Sequence, residues 1–298
     1  MEDDEILVAA PAKINLYLHV LGRREDGYHV LDSLIAFAAL HDTIAVRPAA
    51  EISLRVDGPF ASLLADRPDN LVLDAARALA RAAGVKDGAE IRLIKRLPVA
   101  AGIGGGSADA AAALRALVRL WRVEPEKLDM AGLALSLGAD VPVCLAGRAA
   151  FVGGIGETMD ELPGLPPVPL VLANPGQPLA TKDVFATRRG DFSAAGRFAA
   201  APSDAAGLAE LLSLRRNDLA AGAARAVPEI DDVLAALAAA PGCLLARMSG
   251  SGATCFALFA RAEEAGEAAA RVAEARPTWW VRASTLVADG AALTASGD

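Results

Sequence analysis

Four glycines crowd into five residues at Gly102-Ile-Gly-Gly-Gly106, with Ser107 and a long alanine-rich run directly behind them. Without Cβ atoms such a stretch lets backbone N–H groups close on a phosphate, and a helix starting there adds the positive end of its dipole. Ser107 can cap that helix or turn its hydroxyl toward phosphate or metal. A plain hinge followed by a cap would use the same residues. Two familiar phosphate motifs are excluded. No Gly-Lys-Ser/Thr ending follows, so this is not a Walker loop. Ser107 also stands where a dinucleotide fingerprint needs its third glycine. A second small-residue loop, Ser249-Gly-Ser-Gly252, fits a tight hairpin as well as it fits an anion pocket.

Asp140, in Leu137-Gly-Ala-Asp-Val-Pro142, has two readings. Its spacing favours a helix cap, with Pro142 suiting the first turn. The chemical reading is a general base that takes the proton of an attacking hydroxyl. Lys13 is a solvated strand lysine by default. Beside a phosphate and a carboxylate, it would keep the base ionised and stabilise charge on a transferring group. Tyr28-His29 follows the Asp26-Gly27 turn and suits either stacking on a base or anchoring the turn.

The elements that must position these groups follow from periodicity. Residues 6–20 alternate: Ile14, Leu16, Leu18 and Val20 share one strand face, and Lys13, Asn15, Tyr17 and His19 share the other. The second face therefore looks into a cleft or to solvent. Further strands are expected at 44–47, 52–56, 91–94, 149–152, 168–173, 243–248, 254–259 and 279–285. Asp69-Asn70 reads as the cap of a helix ending at Gly84. A helix behind the glycine loop runs to about Arg122, burying Ala110, Ala113, Leu114, Leu117, Val118 and Trp121. Helices over 128–137 and 263–275 follow, with Pro228 in the first turn of another. The last dozen residues are expected to fray. The class is α+β in two domains, each a sheet covered by helices.

Bulk properties narrow the function. The 298 residues carry a formal net charge of −8, which argues against nucleic acid, since phosphate-backbone binding needs a basic face. Mean hydropathy of +0.35 reflects alanine runs. The uncharged stretch 162–181 holds six prolines and cannot be a continuous membrane helix; it reads as a linker entering a short strand. The acidic start, Met1-Glu-Asp-Asp-Glu5, is unlike a signal peptide. Cys144, Cys243 and Cys255 are too scattered for a metal or redox pair and read as small buried hydrophobes. Together these features favour the cytoplasm and no membrane partner.

Pro11-Ala-Lys-Ile-Asn-Leu16, Arg23-Arg-Glu-Asp-Gly-Tyr-His29, residues 98–108, residues 137–142 and residues 248–254 together resemble the GHMP kinases, over nearly the whole chain. The pairing of Pro-Ala-Lys-Ile-Asn-Leu with Asp-Gly-Tyr-His resembles the branch that acts on a cytidine-diphosphate methylerythritol. The resemblance implies a two-domain fold: an N-terminal α+β domain over 1–155 with the ATP loop, and a ferredoxin-like domain over 156–298. It implies ATP with Mg²⁺ as cofactors and phosphorylation of the C2 hydroxyl of that substrate, in the non-mevalonate route to isoprenoid precursors. ATP phosphates would lie on Pro98, Gly102, Gly104, Gly105, Gly106, Ser107 and Ala108, with Asn70, Leu71 and Lys95 near adenosine. Asp140 would be the base and Lys13 its partner. Asn15, Tyr28, His29, Thr181 and Phe185 would hold the substrate, the tyrosine stacking on cytosine and Phe185 forming the opposite wall. Gly250, Ser251 and Gly252 would close the pocket from the second domain. No carboxylate pair stands out as a metal site, so the ion would rest on phosphates and Ser107. Ile103 replaces a more usual leucine, and Asp109 a common asparagine. Other readings are a GHMP kinase for another small alcohol, of homoserine or mevalonate type, or a non-catalytic nucleotide-binding module. The chain would work as a monomer or homodimer.

Overall fold

The computed structural model of the chain describes residues 5–64, 70–162 and 164–295. Asp69, half of the expected cap pair, and Pro163 of the proline-rich stretch lie outside the described residues, as do residues 1–4. In chain order the N-terminal half holds strands β1 (Ile6–Arg23), β2 (His29–Ala49) and β3 (Ser53–Asp57), helix α1 (Leu71–Ala83), strand β4 (Gly88–Ile94), helices α2 (Gly105–Leu120), α3 (Met130–Leu137) and α4 (Val141–Ala146), and strands β5 (Ala150–Gly154) and β6 (Thr158–Glu161). The C-terminal half holds strand β7 (Val168–Asn174), helices α5 (Thr181–Thr187), α6 (Ala205–Ser213), α7 (Ala220–Ala226) and α8 (Glu229–Ala238), strands β8 (Cys243–Met248) and β9 (Cys255–Phe259), helix α9 (Ala262–Ala275) and strand β10 (Trp280–Val287).

The long β2 organises the sheet. Its pairing with β1 occupies one edge from His29 to Val46. Its other edge is shared along its length by β5, β10 and β4 in turn. β10 meets it only at Ala38 and Phe37, yet that short pairing joins the strands of both halves into one ten-stranded sheet rather than two separate ones. In the C-terminal half the spatial order β10-β7-β9-β8 is the antiparallel 4-1-3-2 arrangement of a ferredoxin-like domain.

Alternation in β1 does not persist along the strand. Register shifts fall between Pro11 and Lys13 and between Asn15 and Tyr17. Such bulges re-aim side chains. The expected face therefore divides: Lys13 and Asn15 line a cleft, whereas Tyr17 and His19 turn under the 193–197 segment, where the Tyr17 hydroxyl donates to Asp32 and the His19 ring meets the Ala194 carbonyl.

Helix α1 matches its expected limits: Asn70 accepts from the Val72 N–H, and Gly84 ends it in the left-handed region. Helix α2 is buried almost all round, not along one stripe, because alanine lets β1, β2, α1 and α4 approach it from several sides. The tail is partly fastened. Gly290 donates to the Gly147 carbonyl and packs beside Pro11 and Phe37, so fraying does not describe residues 289–291. Cys144 and Cys255 are buried and unbridged; Cys243 is half-buried.

Candidate active site

A cleft of about 1330 Å³ runs between the two halves. The glycine loop lies in its wall, held by backbone bonds to elements distant in sequence. The Lys13 N–H donates to the Ile103 carbonyl, and the Thr254 N–H to the Ala101 carbonyl. The Ser249 hydroxyl accepts from the Asn15 N–H and donates to the Gly102 carbonyl. Ser249-Gly-Ser-Gly252 is thus both a hairpin turn and the brace of the phosphate loop. Gly102, at φ +74°, shows why no side chain fits: a Cβ would sit 2.6 Å from the Gly252 carbonyl oxygen.

Helix α2 begins at Gly105, three residues earlier than a cap at Ser107 requires. Gly104 occupies the cap position at φ 62°, with no side-chain cap bond. Ser107 therefore sits in the first helical turn, its hydroxyl free of capping and lining the cleft. Gly106 has nothing within 4 Å of a hypothetical Cβ. This is the open side of the loop, where unpaired helix N–H groups face the cleft.

Lys13 passes beneath Gly104, whose missing Cβ would stand 3.0 Å from the lysine stem. Its Nζ reaches Asp140 Oδ2 at 2.9 Å. The lysine is 5% exposed, and the carboxylate is open to the cleft. Asp140 stands at the start of α4 but makes no side-chain cap bond. The cap reading, favoured by spacing, is overturned: the carboxylate turns across the cleft to the lysine.

Lys95 lines the cleft with Asn70 and Leu71, and its ammonium is already committed within the protein. Its ammonium is engaged by Asp42 at 2.5 Å and Asp109 at 2.6 Å, all three groups buried. A Cβ on Gly105 would come within 3.0 Å of that ammonium, so the triad supports the loop from below. Asp42 also accepts from the Arg96 and Leu97 N–H groups, fixing the chain that leads into the loop. Burial lifts the Asp109 carboxyl to about 8, opposed by Lys95 and reinforced by Asp42. Asp109, at the common asparagine position, thus accepts a hydrogen bond from the Lys95 ammonium. Sequence reasoning missed Asp42 altogether. The signal for Asp109 was a carboxylate on a helix otherwise made of buried alanine and leucine.

On the opposite side of the cleft, His29 stacks on Phe185 with ring centres 5.2 Å apart. Phe185 is thus an aromatic wall, but its present neighbour is the histidine, while Tyr28 is 63% exposed at the rim. Burial, then the charges of Arg23 and Arg188, press the His29 pKa below its usual value. Thr181 exchanges a hydrogen bond with Ser251. Asn15, Asn70, Leu71, Pro98, Gly250 and Ser251 all line the cleft. Two expected residues do not: Ala108 is buried in α2, and Gly252 packs against Met248, Ile230 and Leu179. Arg23, Arg188 and Arg189 line the cleft and were not singled out as contacts from sequence.

Comparison with known proteins agrees with this architecture. Residues 70–148 match the GHMP kinases N terminal domain, and residues 189–277 match the GHMP kinases C terminal domain. A 4-diphosphocytidyl-2-C-methyl-D-erythritol kinase of Paramagnetospirillum magneticum is 56% identical over 94% of this chain and 98% of its own length. A crystal structure of 4-(cytidine 5'-diphospho)-2C-methyl-D-erythritol kinase superposes with a TM-score of 0.74 at 38% identity, covering 94% of this chain and 99% of that one. A homoserine kinase of Cytophaga hutchinsonii shares the fold at 20% identity, with a TM-score of 0.72 over 97% of both chains. On family domains that span both halves, and on relatives matched over nearly their full length, the chain belongs to the GHMP kinases, among the 4-diphosphocytidyl-2-C-methyl-D-erythritol kinases.

Proposed function

We propose that the cleft transfers the γ-phosphoryl group of ATP to the C2 hydroxyl of 4-diphosphocytidyl-2-C-methyl-D-erythritol, with Asp140 as base. The observation that carries this reading is the 2.9 Å Lys13–Asp140 pair beside a glycine loop with an open helix N-terminus. Phosphoryl transfer asks a protein mainly for positioning and charge stabilisation. Asp140 orients the acceptor hydroxyl and takes its proton. Lys13 pairs with that carboxylate beforehand and stabilises charge on the transferring group. The α2 amides and Ser107 hold the phosphates of the donor. Asn70 and Leu71 border the adenosine end. His29, Phe185, Thr181 and Asn15 border the acceptor end, with Tyr28 at the rim free to close over a cytosine.

The glycine cradle fits ATP, since Gly106 leaves open room at the helix tip. Magnesium would neutralise phosphate charge and sit with the donor. Among the described residues no cluster of three His, Cys, Asp or Glu side chains could hold it alone. Ser107 is the loop hydroxyl available to it. Cytoplasmic residence belongs to the same reading; among the described residues no helix is long and apolar enough to cross a membrane.

The test is a direct product assay. Purified protein, ATP, Mg²⁺ and the cytidine-bearing substrate should give a new phosphomonoester by phosphorus NMR, with no comparable signal from homoserine or mevalonate. Faster turnover of either of those alcohols would reassign the acceptor. ATP binding without consumption would point to a non-catalytic module.

A further inference from the structure

The protein carries an excess of negative charge, yet three guanidinium groups gather at the acceptor end of the cleft: Arg23, Arg188 and Arg189. Among the described residues none of the three forms an ion pair. Arg24, next in sequence, is matched by Asp26 at 2.9 Å, and Arg197 is shared by Asp32 and Asp160. Asp26 also lines the cleft but is paired with Arg24, and cationic side chains that lack a carboxylate partner leave their charge for a ligand.

Their geometry is arranged in advance. Arg23 Nε donates to the Gly27 carbonyl at 3.1 Å, which fixes the head and leaves both terminal nitrogens unengaged. Arg188 is held by the Gly190 and Asp191 carbonyls and lies 4.7 Å over the Phe192 ring, and its Nε has no partner. Both act on His29, which stacks on Phe185. A flat aromatic shelf therefore neighbours the free fork of Arg23 and the charge of Arg188, whose terminal nitrogens already donate to backbone carbonyls. Guanidinium forks match phosphate oxygens in paired hydrogen bonds.

We propose that Arg23 and Arg188, assisted by Arg189, form the subsite that binds the diphosphate of the acceptor and thereby select a nucleoside-diphosphate-linked alcohol over a free one. This rests on the cytidine-diphosphate reading of the acceptor and assigns its phosphates to side chains. The subsite acts in binding. It does not reach the transferring phosphoryl group, which lies with the glycine loop and Lys13, so its loss should raise the acceptor KM and leave kcat near that of the parent enzyme.

Affinities of cytidine and CDP, measured by calorimetry with a non-hydrolysable ATP analogue filling the donor site, provide the test. The parent enzyme should bind CDP at least about tenfold more tightly than cytidine, the difference shrinking as salt is raised. Arg23→Gln and Arg188→Gln should each cut that CDP-to-cytidine ratio by about tenfold while cytidine affinity and the KM for ATP hold. Arg23 is exposed on the strand end, so its variant tests the claim even if the Arg188 variant folds poorly. A parent enzyme that binds cytidine well but gains nothing from the diphosphate, or variants that keep the full ratio, would overturn the subsite. A parent enzyme that binds neither ligand would instead overturn the cytidine reading on which it rests.

Discussion

Replacing Asp140 by asparagine removes a proton acceptor and one ion pair while keeping the side chain's size. The carboxylate meets Lys13 Nζ through Oδ2, and it contributes no cap bond to α4. Because that carboxylate is 45% exposed, solvent screens the pair, and its loss should cost about 1 kcal/mol of stability or less. For a chain of this size that is a shift of roughly 2–4 °C in Tm. Loss of a general base should lower kcat by about 10²–10⁴, which is roughly 3–5 kcal/mol of transition-state stabilisation. The phosphate loop is braced by Ser249, Thr254 and the Lys95 triad, none of which touches Asp140, so the KM for ATP should stay within about threefold. The assay is initial-rate ADP release at saturating ATP, with a thermal melt on the same sample. Turnover above about a tenth of the parent value would refute the base assignment. A collapse of folding and ATP binding together would refute the claim that Asp140 acts in chemistry rather than in structure.

Three further outcomes follow from the same geometry. Gly102→Ala forces a Cβ against the Gly252 backbone at positive φ and should cost about 2–4 kcal/mol in denaturant unfolding, with a raised KM for ATP; a change under about 0.5 kcal/mol would mean that the loop gives way freely. Asp109 has a raised carboxyl pKa of about 8, so the folded state binds a proton that the unfolded state has lost. Its contribution to stability should therefore decline as pH rises from about 4 to about 8, and Asp109→Asn should flatten that limb of the Tm profile; an unchanged profile would contradict it. His29, pressed down by burial, Arg23 and Arg188, should titrate by NMR below its usual midpoint of 6.5, and Arg23→Gln should move it back upward; a midpoint indifferent to the substitution would place the guanidinium elsewhere.

Local chemistry was legible in the chain wherever one element decides it. Asn70 and Gly84 limit α1 because capping and the left-handed stop are short-range effects. The glycine loop announced itself by composition, and β8 and β9 by their apolar runs around Ser249-Gly-Ser-Gly252. What sequence left open was settled by contacts between distant positions. Whether Asp140 caps α4 or serves the cleft depends on Lys13, 127 residues away. The N-terminal part of β2 escaped notice because, buried on both faces from Asp32 to Ala38, it carries no clean alternation. Bulges in β1 separate Lys13 and Asn15 from Tyr17 and His19 although simple alternation puts them on one face. The two carboxylates that hold Lys95 escaped the sequence because they come from β2 and α2, which periodicity alone does not bring together.

The central claim is geometric: an acceptor hydroxyl lies between the Asp140 carboxylate and phosphates cradled at the tip of α2. A crystal structure with a non-hydrolysable ATP analogue and the cytidine-bearing acceptor bound together measures it directly. The C2 hydroxyl should lie about 2.6–3.2 Å from an Asp140 oxygen and about 3–3.5 Å from the γ-phosphorus, with Lys13 beside both. A hydroxyl turned away from Asp140, or donor phosphates seated off the 102–107 loop, would contradict the account.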